Sequence, residues 1–461
     1  MIYDFIVVGS GASGGVIAHH LHQSGSKVLL LEAGKFYRKD TFPRTEAAYS
    51  AQLFWGGGLE FDKHATTAFL RARVVGGTTI VNQCLLDRFD EIAWHDWKNQ
   101  TGVPYFSIPE MLPYYDRVES LLDLYTFKES DRNRNAQIFS RACTELGYEW
   151  KYLRRGMDDC QFENGNDCIG CLGGCHRDSK QSTLVAAIQK AEATGLTIQP
   201  ETEVQKIEHF PDKVRLYVTT PQGQSELNTR RVVLAGGSFG TTQMLLKSGF
   251  KQKLPALGKN FCQHPQYMSF GIFKDPVDAH KGSFQSVCSA DPNFRKQGFK
   301  LENVFAPPIS IGMLFSVYGK THQDLMKKYR HLACIEVAVR DEPAGTIDVD
   351  KKGKLSINKP LTQQDQNRIN AGLQVIDKIF HQAGAVEIVR SPFYFGLHLM
   401  GGCAIGTDVR TAVVNPDFQL FDFPNISIAD ASIFPQAPGI NPSLTIMALS
   451  QRCGEILEKT T

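Results

Sequence analysis

The chain has 461 residues, 42% of them hydrophobic and 21% charged; this balance excludes a disordered or fibrous protein and leaves room for two or three domains. Its formal net charge of +2, with no stripe rich in lysine and arginine, excludes a dedicated nucleic-acid binder. No apolar run approaches the roughly 20 residues that span a bilayer, and no basic region precedes the first glycine turn, so a cytoplasmic protein without a transmembrane segment or secretory leader is expected.

Strands are predicted over 5–8 and 27–31, joined by a helix in which Ile17 and Leu21 share a face and which Gly25 ends. That is the order of a parallel crossover unit. Between the first strand and the helix, Gly9-Ser10-Gly11-Ala12-Ser13-Gly14 reads as G-x-G-x-x-G. The first glycine permits the tight turn, the second lets the backbone approach a pyrophosphate, and the third lets helix and strand pack closely. The phosphates would then lie at the helix N-terminus, where free N–H groups favour negative charge. Glu32, followed by Ala33, ends the second strand and is placed to accept hydrogen bonds from a ribose, which disfavours NADP. The turn alone leaves NAD and FAD open.

Residues 41–69 are rich in glycine and aromatic side chains without clear periodicity and read as an extended, ligand-facing region. A helix is expected over 183–193, then strands near Leu196, at Val204 and over 214–219. The buried strand 232–235 runs into Gly236 and Gly237 and repeats the strand-then-glycine logic of the N-terminus. Residues 267–385 read as a separate sheet-plus-helix domain, with a polar turn over 350–353 and a helix over 364–383. A last helix is expected over 443–459.

Several further segments, in order, resemble the glucose-methanol-choline family of flavin oxidoreductases. Arg73 to Asn82 is similar to the family's R-x-x-G-G-[ST]-[ST]-x-x-N, with Gly76, Gly77 and Thr78 at its centre. Residues 232–249 resemble its strand and helix under the adenine, and Gly258 to Pro265 its G-x-N-x-x-x-H-P turn. The C-terminal part carries His398-Leu-Met-Gly-Gly-Cys403, Ala429 to Pro435, and Gly439-Ile-Asn441-Pro442-Ser443. The combination looks most like the cholesterol oxidase and long-chain alcohol oxidase branches, in which the second active-site position is Asn.

The resemblance implies an α/β fold: a discontinuous Rossmann-like FAD-binding domain over 1–40, 70–100, 180–266 and 387–461, and a substrate domain over 101–179 and 267–386. It implies FAD held by Gly9, Gly11, Ala12, Ser13, Gly14, Glu32, Ala33, Gly76, Gly77, Thr78, Asn82, Val204, Ala235, Gly236, Asp430, Ala431, Asn441, Pro442 and Ser443. The FAD is expected to be non-covalent, because residues 78–81 hold no histidine of the kind that some members join to the flavin. The activity implied is oxidation of an alcohol to a carbonyl by hydride transfer to flavin N5. His398, whose imidazole titrates in the neutral range, is the expected base, and Asn441 is expected to hold the substrate oxygen. Pro442 is expected to begin a helix whose N-terminus stabilises reduced flavin. The small-molecule alcohol is primary or secondary and could be lipidic, and the acceptor could be oxygen, a quinone or a protein. A lyase that keeps FAD, an iron–sulfur sugar or polyol dehydrogenase and a non-catalytic flavoprotein stay open as alternatives. Glu336 could match the glutamate that cholesterol oxidase places over its substrate, or be an ordinary exposed strand residue. His264 reads as structural.

Cys160, Cys168, Cys171 and Cys175 fall within 16 residues, in a segment of Gly, Asp and Asn that resembles long-chain alcohol oxidases. Four thiolates at this spacing could hold zinc or an iron–sulfur cluster; in a reducing compartment the same cysteines could pack a tight loop or act as redox-labile thiols.

Overall fold

The computed structural model describes residues 3–160 and 170–460. Strand Tyr3–Val8 lies inside a sheet, parallel to Val28–Leu31 on one side and to Gly223–Leu234 on the other. Its run Phe5-Ile-Val-Val8 is buried throughout, as a parallel strand covered on both faces requires. Phe423–Ile428 continues the sheet beyond Gly223–Leu234, and Thr197–Gln199 continues it beyond Val28–Leu31, both in parallel. The antiparallel pair Glu203–His209 and Val214–Thr220 extends from the long strand Gly223–Leu234.

Helix Ala12–Gln23 buries Ile17 and Leu21 on the sheet, and Gly25 follows its end at φ +88°. The last helix, Ser443–Glu458, packs against it. His20 of the first helix meets both Gln451 and Glu458 of the last. Glycine mediates another contact here, since a Cβ on Gly454 would stand 2.8 Å from the His20 ring.

A second, antiparallel sheet has Pro265–Ile272 paired to Leu332–Val339, which pairs in turn to Phe299–Asn303. Helix Gln363–Gln382 covers one face of these strands. Thr362 and Asp365 form its capping box, and Ile369, Ile376, Ile379 and Phe380 bury its apolar side. The sheet accepts it closely: Gly271 lies under Phe380, and Gly372 lies against Val337. The other face of the strands carries Gln266, Lys300, Glu302 and Glu336, which line the candidate site together with His264, His398 and Asn441.

The segment read as extended, 41–69, contains helix Glu46–Leu53 and the short strands Glu60–Phe61 and Thr67–Phe69, which join the second sheet. Thr45 caps that helix, and only Tyr49 and Leu53 are buried on it, too few positions for a period to show in the sequence. The helix expected over 183–193 begins as a π turn, Leu184–Ile188, before α geometry at Gln189–Glu192. Among the described residues no helix is long and apolar enough to cross a membrane.

Candidate active site

The glycine turn has one main-chain solution. Gly9 has φ +98°, and a Cβ there would stand 2.4 Å from the Ala235 carbonyl oxygen; a Cβ on Gly14 would stand 1.8 Å from the carbonyl oxygen of Gly9. Gly77, at φ +54°, brings its backbone onto Gly11, where a Cβ would lie 2.6 Å from the Gly11 Cα. The Ser10 hydroxyl accepts from the Gly76 N–H at 3.0 Å and donates to Glu32 at 2.6 Å. Two segments distant in sequence thus form one cradle. Glu32 is buried, and its oxygens also accept from the N–H groups of Ser10 and Gly34 at 3.1 and 2.9 Å. Burial pushes its carboxyl up, and these bonds work against that rise.

The cradle fits a dinucleotide. Helix Ala12–Gln23 has no side-chain cap and no acid in its first turn, and the buried Ser13 hydroxyl there has no partner. A pyrophosphate supplies what both lack. Ala33 follows Glu32 directly, and Val204 lies on the strand beside Thr202, whose N–H donates to the Glu32 carbonyl at 2.8 Å. The Thr78 hydroxyl faces the Ala72 N–H, and Asn82 Oδ1 accepts from the Cys84 N–H at 3.0 Å.

Asp430 closes the opposite side. Its Oδ2 accepts from the Gly237 N–H at 2.8 Å and the Thr241 hydroxyl at 2.6 Å, and its Oδ1 accepts from the Ser432 N–H at 2.8 Å. The carboxyl therefore ties the glycines after Ala235 to the turn at Ala431–Ile433. Pro442 stands at the N-cap of the last helix, one position ahead of its expected place, and Ser443 is the first helical residue. This N-terminus too has no side-chain cap and no acid in its first turn.

His398 and Asn441 line one small pocket, together with His264. The Nδ1 atoms of His264 and His398 are 2.9 Å apart, and the Gly439 N–H donates to His264 Nε2 at 2.9 Å. Burial lowers the His264 imidazole well below its ordinary value, with the His398 ring and nearby cations adding to the effect. Burial and then Lys300 lower His398 to about 4. Both rings are neutral at pH 7. Because Gly439 occupies the lone pair on His264 Nε2, the His264 proton belongs on Nδ1, where it points at His398. Nε2 is the His398 nitrogen left for the pocket, and in this arrangement it carries a hydrogen. His264, expected to be structural, is thus directly bonded to the candidate base.

Lys300 Nζ donates to Asn441 Oδ1 at 3.1 Å, which leaves the Asn441 amide N–H groups for the pocket. Lys300 also meets Glu302 at 2.5 Å and Asp87 at 3.5 Å. Burial works against its charge, but Glu302 and Asp87 outweigh it and hold the ammonium above its ordinary value. Glu336, one of whose readings was an exposed strand residue, is 3% exposed and lines the pocket. Sequence reasoning missed Lys300, Glu302 and Gln266. Lys300 and Glu302 alternate along Phe299-Lys-Leu-Glu-Asn303, a period-2 pattern that also describes a solvated strand face.

The N- and C-terminal models of GMC oxidoreductases match residues 3–266 and 342–450. The chain belongs to the GMC oxidoreductase family. These are flavoproteins, and the fold agrees: pyridoxine 4-oxidase from Mesorbium loti superposes with a TM-score of 0.79 over 98% of each chain, at 16% identity. A long-chain-alcohol oxidase of Arabidopsis thaliana is 24% identical over 98% of this chain and 68% of its own. A cholesterol oxidase of Acinetobacter baumannii is 23% identical over 98% of this chain and 93% of its own.

In this GMC chain the turn Cys171–Gly173 packs against Gly77–Ile80 of the cradle. Lys180, buried, donates through Nζ to the carbonyls of Ile80, Asn82 and Cys171. Cys171 Sγ accepts from Arg155 at 3.1 Å. A hydrogen bond from Cys175 and the Arg155 and Lys180 cations hold the Cys171 thiol well below its ordinary value against burial, and Cys175 is pushed up correspondingly. Among the described residues no group of three or more His, Cys, Asp or Glu is arranged to hold a metal. Cys168 lies outside the described residues.

Proposed function

We propose that this chain is an FAD-dependent oxidoreductase that converts a CH–OH group to a carbonyl, with His398 and Asn441 at the reacting oxygen. The observation that carries this reading is the convergence of His398, locked through His264, and Asn441, oriented by Lys300, on one pocket. Non-covalent FAD would lie along Gly9, Gly11 to Gly14, Glu32, Ala33, Gly76 to Thr78, Asn82, Val204, Ala235, Gly236, Asp430, Ala431 and the start of the last helix. When bound, FAD supplies the two-electron acceptor for a carbon-bound hydride.

The residues of the chain bind and orient. Asn441 donates an amide N–H to the substrate oxygen, and His398 meets the same oxygen through Nε2. With the shared proton on His264, His398 is a donor. To accept the hydroxyl proton the pair must hold the other tautomers, His398 protonated on Nδ1 with Nε2 bare and His264 protonated on Nε2, and then His264 gives up the Gly439 N–H. Gly439 and Asn441 share one loop, so substrate binding at Asn441 and the acceptor form of His398 are mechanically linked.

Anaerobic mixing with alcohols tests the reading. Visible flavin absorbance is expected to bleach, and His398→Asn is expected to retain FAD while slowing the bleaching by about 10²–10⁴-fold. Turnover of an added compound with no bleaching at any stage overturns it in favour of a lyase. The cysteine segment is read as a thiol–thiolate pair supporting Ile80 and Asn82; iron or zinc in stoichiometric amount in the purified protein contradicts that reading.

A further inference from the structure

The floor of the pocket is built from three neighbouring strands, Pro265–Ile272, Leu332–Val339 and Phe299–Asn303. Alternation sends Gln266 from the first, Glu336 and Ala338 from the second, and Lys300 and Glu302 from the third to the same face. Four of these five side chains are polar. Glu302 and Glu336 stand directly opposite each other in register, an arrangement that like charges disfavour. Burial and then Glu302 push the Glu336 carboxyl well above its ordinary value, so it is the protonated member.

These groups are only partly satisfied by the chain. Glu302 is engaged by Lys300 and by Gln285 Nε2 at 2.6 Å. Glu336 accepts from Gln266 Nε2 at 3.4 Å, a bond that cannot use its own O–H. Gln266 is 5% exposed, and its Oε1 is buried without a partner. The Gln266 amide therefore lies in a polar floor with hydrogen-bonding capacity that its single contact with Glu336 does not exhaust. An alkyl chain offers neither donor nor acceptor. A hydroxyl group is donor and acceptor at once, so adjacent hydroxyls can accept from Lys300 and Glu336 while donating to Gln266 and Glu302.

We propose that Gln266, Lys300, Glu302 and Glu336 form a hydroxyl-binding subsite, and that the alcohol bound here is a small polyol bearing hydroxyls beside the reacting carbon. This rests on the oxidation reading for the reaction but not for the binding. It also sets the chain apart from the lipid alcohols named for two of its relatives.

The test uses the FAD-loaded enzyme, mixed anaerobically with glycerol, erythritol, sorbitol and glucose on one side and 1-hexanol, 1-hexadecanol and cholesterol on the other. In parallel, the same compounds are titrated calorimetrically into the His398→Asn variant, which reports binding without turnover. The expected result is bleaching by at least one polyol about 10²-fold or more faster than by any alkyl or sterol alcohol, with binding heat for the same polyol. Bleaching by the alkyl or sterol alcohols alone overturns the subsite and leaves the oxidation standing. Polyol binding without bleaching by any compound supports the subsite and overturns the oxidation. Neither binding nor bleaching overturns both. Glu336→Leu is expected to lower polyol kcat/KM by about 10²-fold and to raise that for 1-hexanol, whereas Glu336→Gln, which keeps a neutral polar group, recovers most of the polyol activity; equal losses in both variants, with FAD retained, overturn the assignment of Glu336.

Discussion

The buried acids of the two sheets are handled in opposite ways. In the parallel sheet, Glu32 and Asp430 each spend both oxygens on N–H and hydroxyl donors of the chain itself. In the antiparallel sheet, Glu336 has one long bond from Gln266, and Gln266 has an oxygen with none. A buried polar group that the chain satisfies shapes the backbone around a ligand, and one that it leaves incomplete is finished by the ligand. The first kind therefore serves the constant cofactor and the second the substrate.

Breaking the closed side produces the largest effect. Gly14→Ala drives a methyl group into the Gly9 carbonyl, and the variant is expected to purify without flavin, if it folds at all; absorbance of flavin relative to protein reads this directly. Asp430→Asn turns an amide N–H toward the Gly237 and Thr241 donors and is expected to cost about 1–3 kcal/mol or more in denaturant unfolding. Acid acts on the histidine pair between the two regions. Between pH 6.5 and about 4 the unfolded chain binds a proton at His398 that the folded chain refuses, so stability falls as pH falls through that window. The loss from pH 7 to 5 is about 2 kcal/mol from His398 alone, and it is expected to be absent in His398→Asn. The smallest effect sharpens the comparison. Glu336→Gln replaces an already neutral acid and is expected to change stability by no more than about 0.5 kcal/mol, while the analogous exchange at Asp430 does not. Equal losses at the two positions would erase the distinction.

The glycine turn, the C-terminal His and Asn, and the helices Ala12–Gln23, Gln363–Gln382 and Ser443–Glu458 were legible because each leaves a local mark: a turn that only glycine can make, a motif, or a 3.6-residue period, whereas Ile108–Glu119 and Arg134–Glu145 were not read. The pocket floor left none. Lys300 and Glu302 sit on a strand whose polar alternation is that of a solvated sheet, and Gln266 is one polar residue on an otherwise apolar face, so only the tertiary burial of these side chains marks them. His264 was read by its motif, yet its meaning depends on a ring 134 positions away. The helix Glu46–Leu53 escaped because two buried positions do not make a period.

The order of strands in the parallel sheet carries a consequence for biosynthesis. The first strand emerges from the ribosome early, but its neighbour Gly223–Leu234 comes after about half the chain, and Phe423–Ile428 and the helix against Ala12–Gln23 come last. Asp430, which ties Gly237 to the far side of the cradle, is translated 193 residues after it. The cradle is therefore complete only once Asp430 has been translated. Until then the glycine turn stands beside an unfinished sheet whose strand edges are unpaired and open to misassembly.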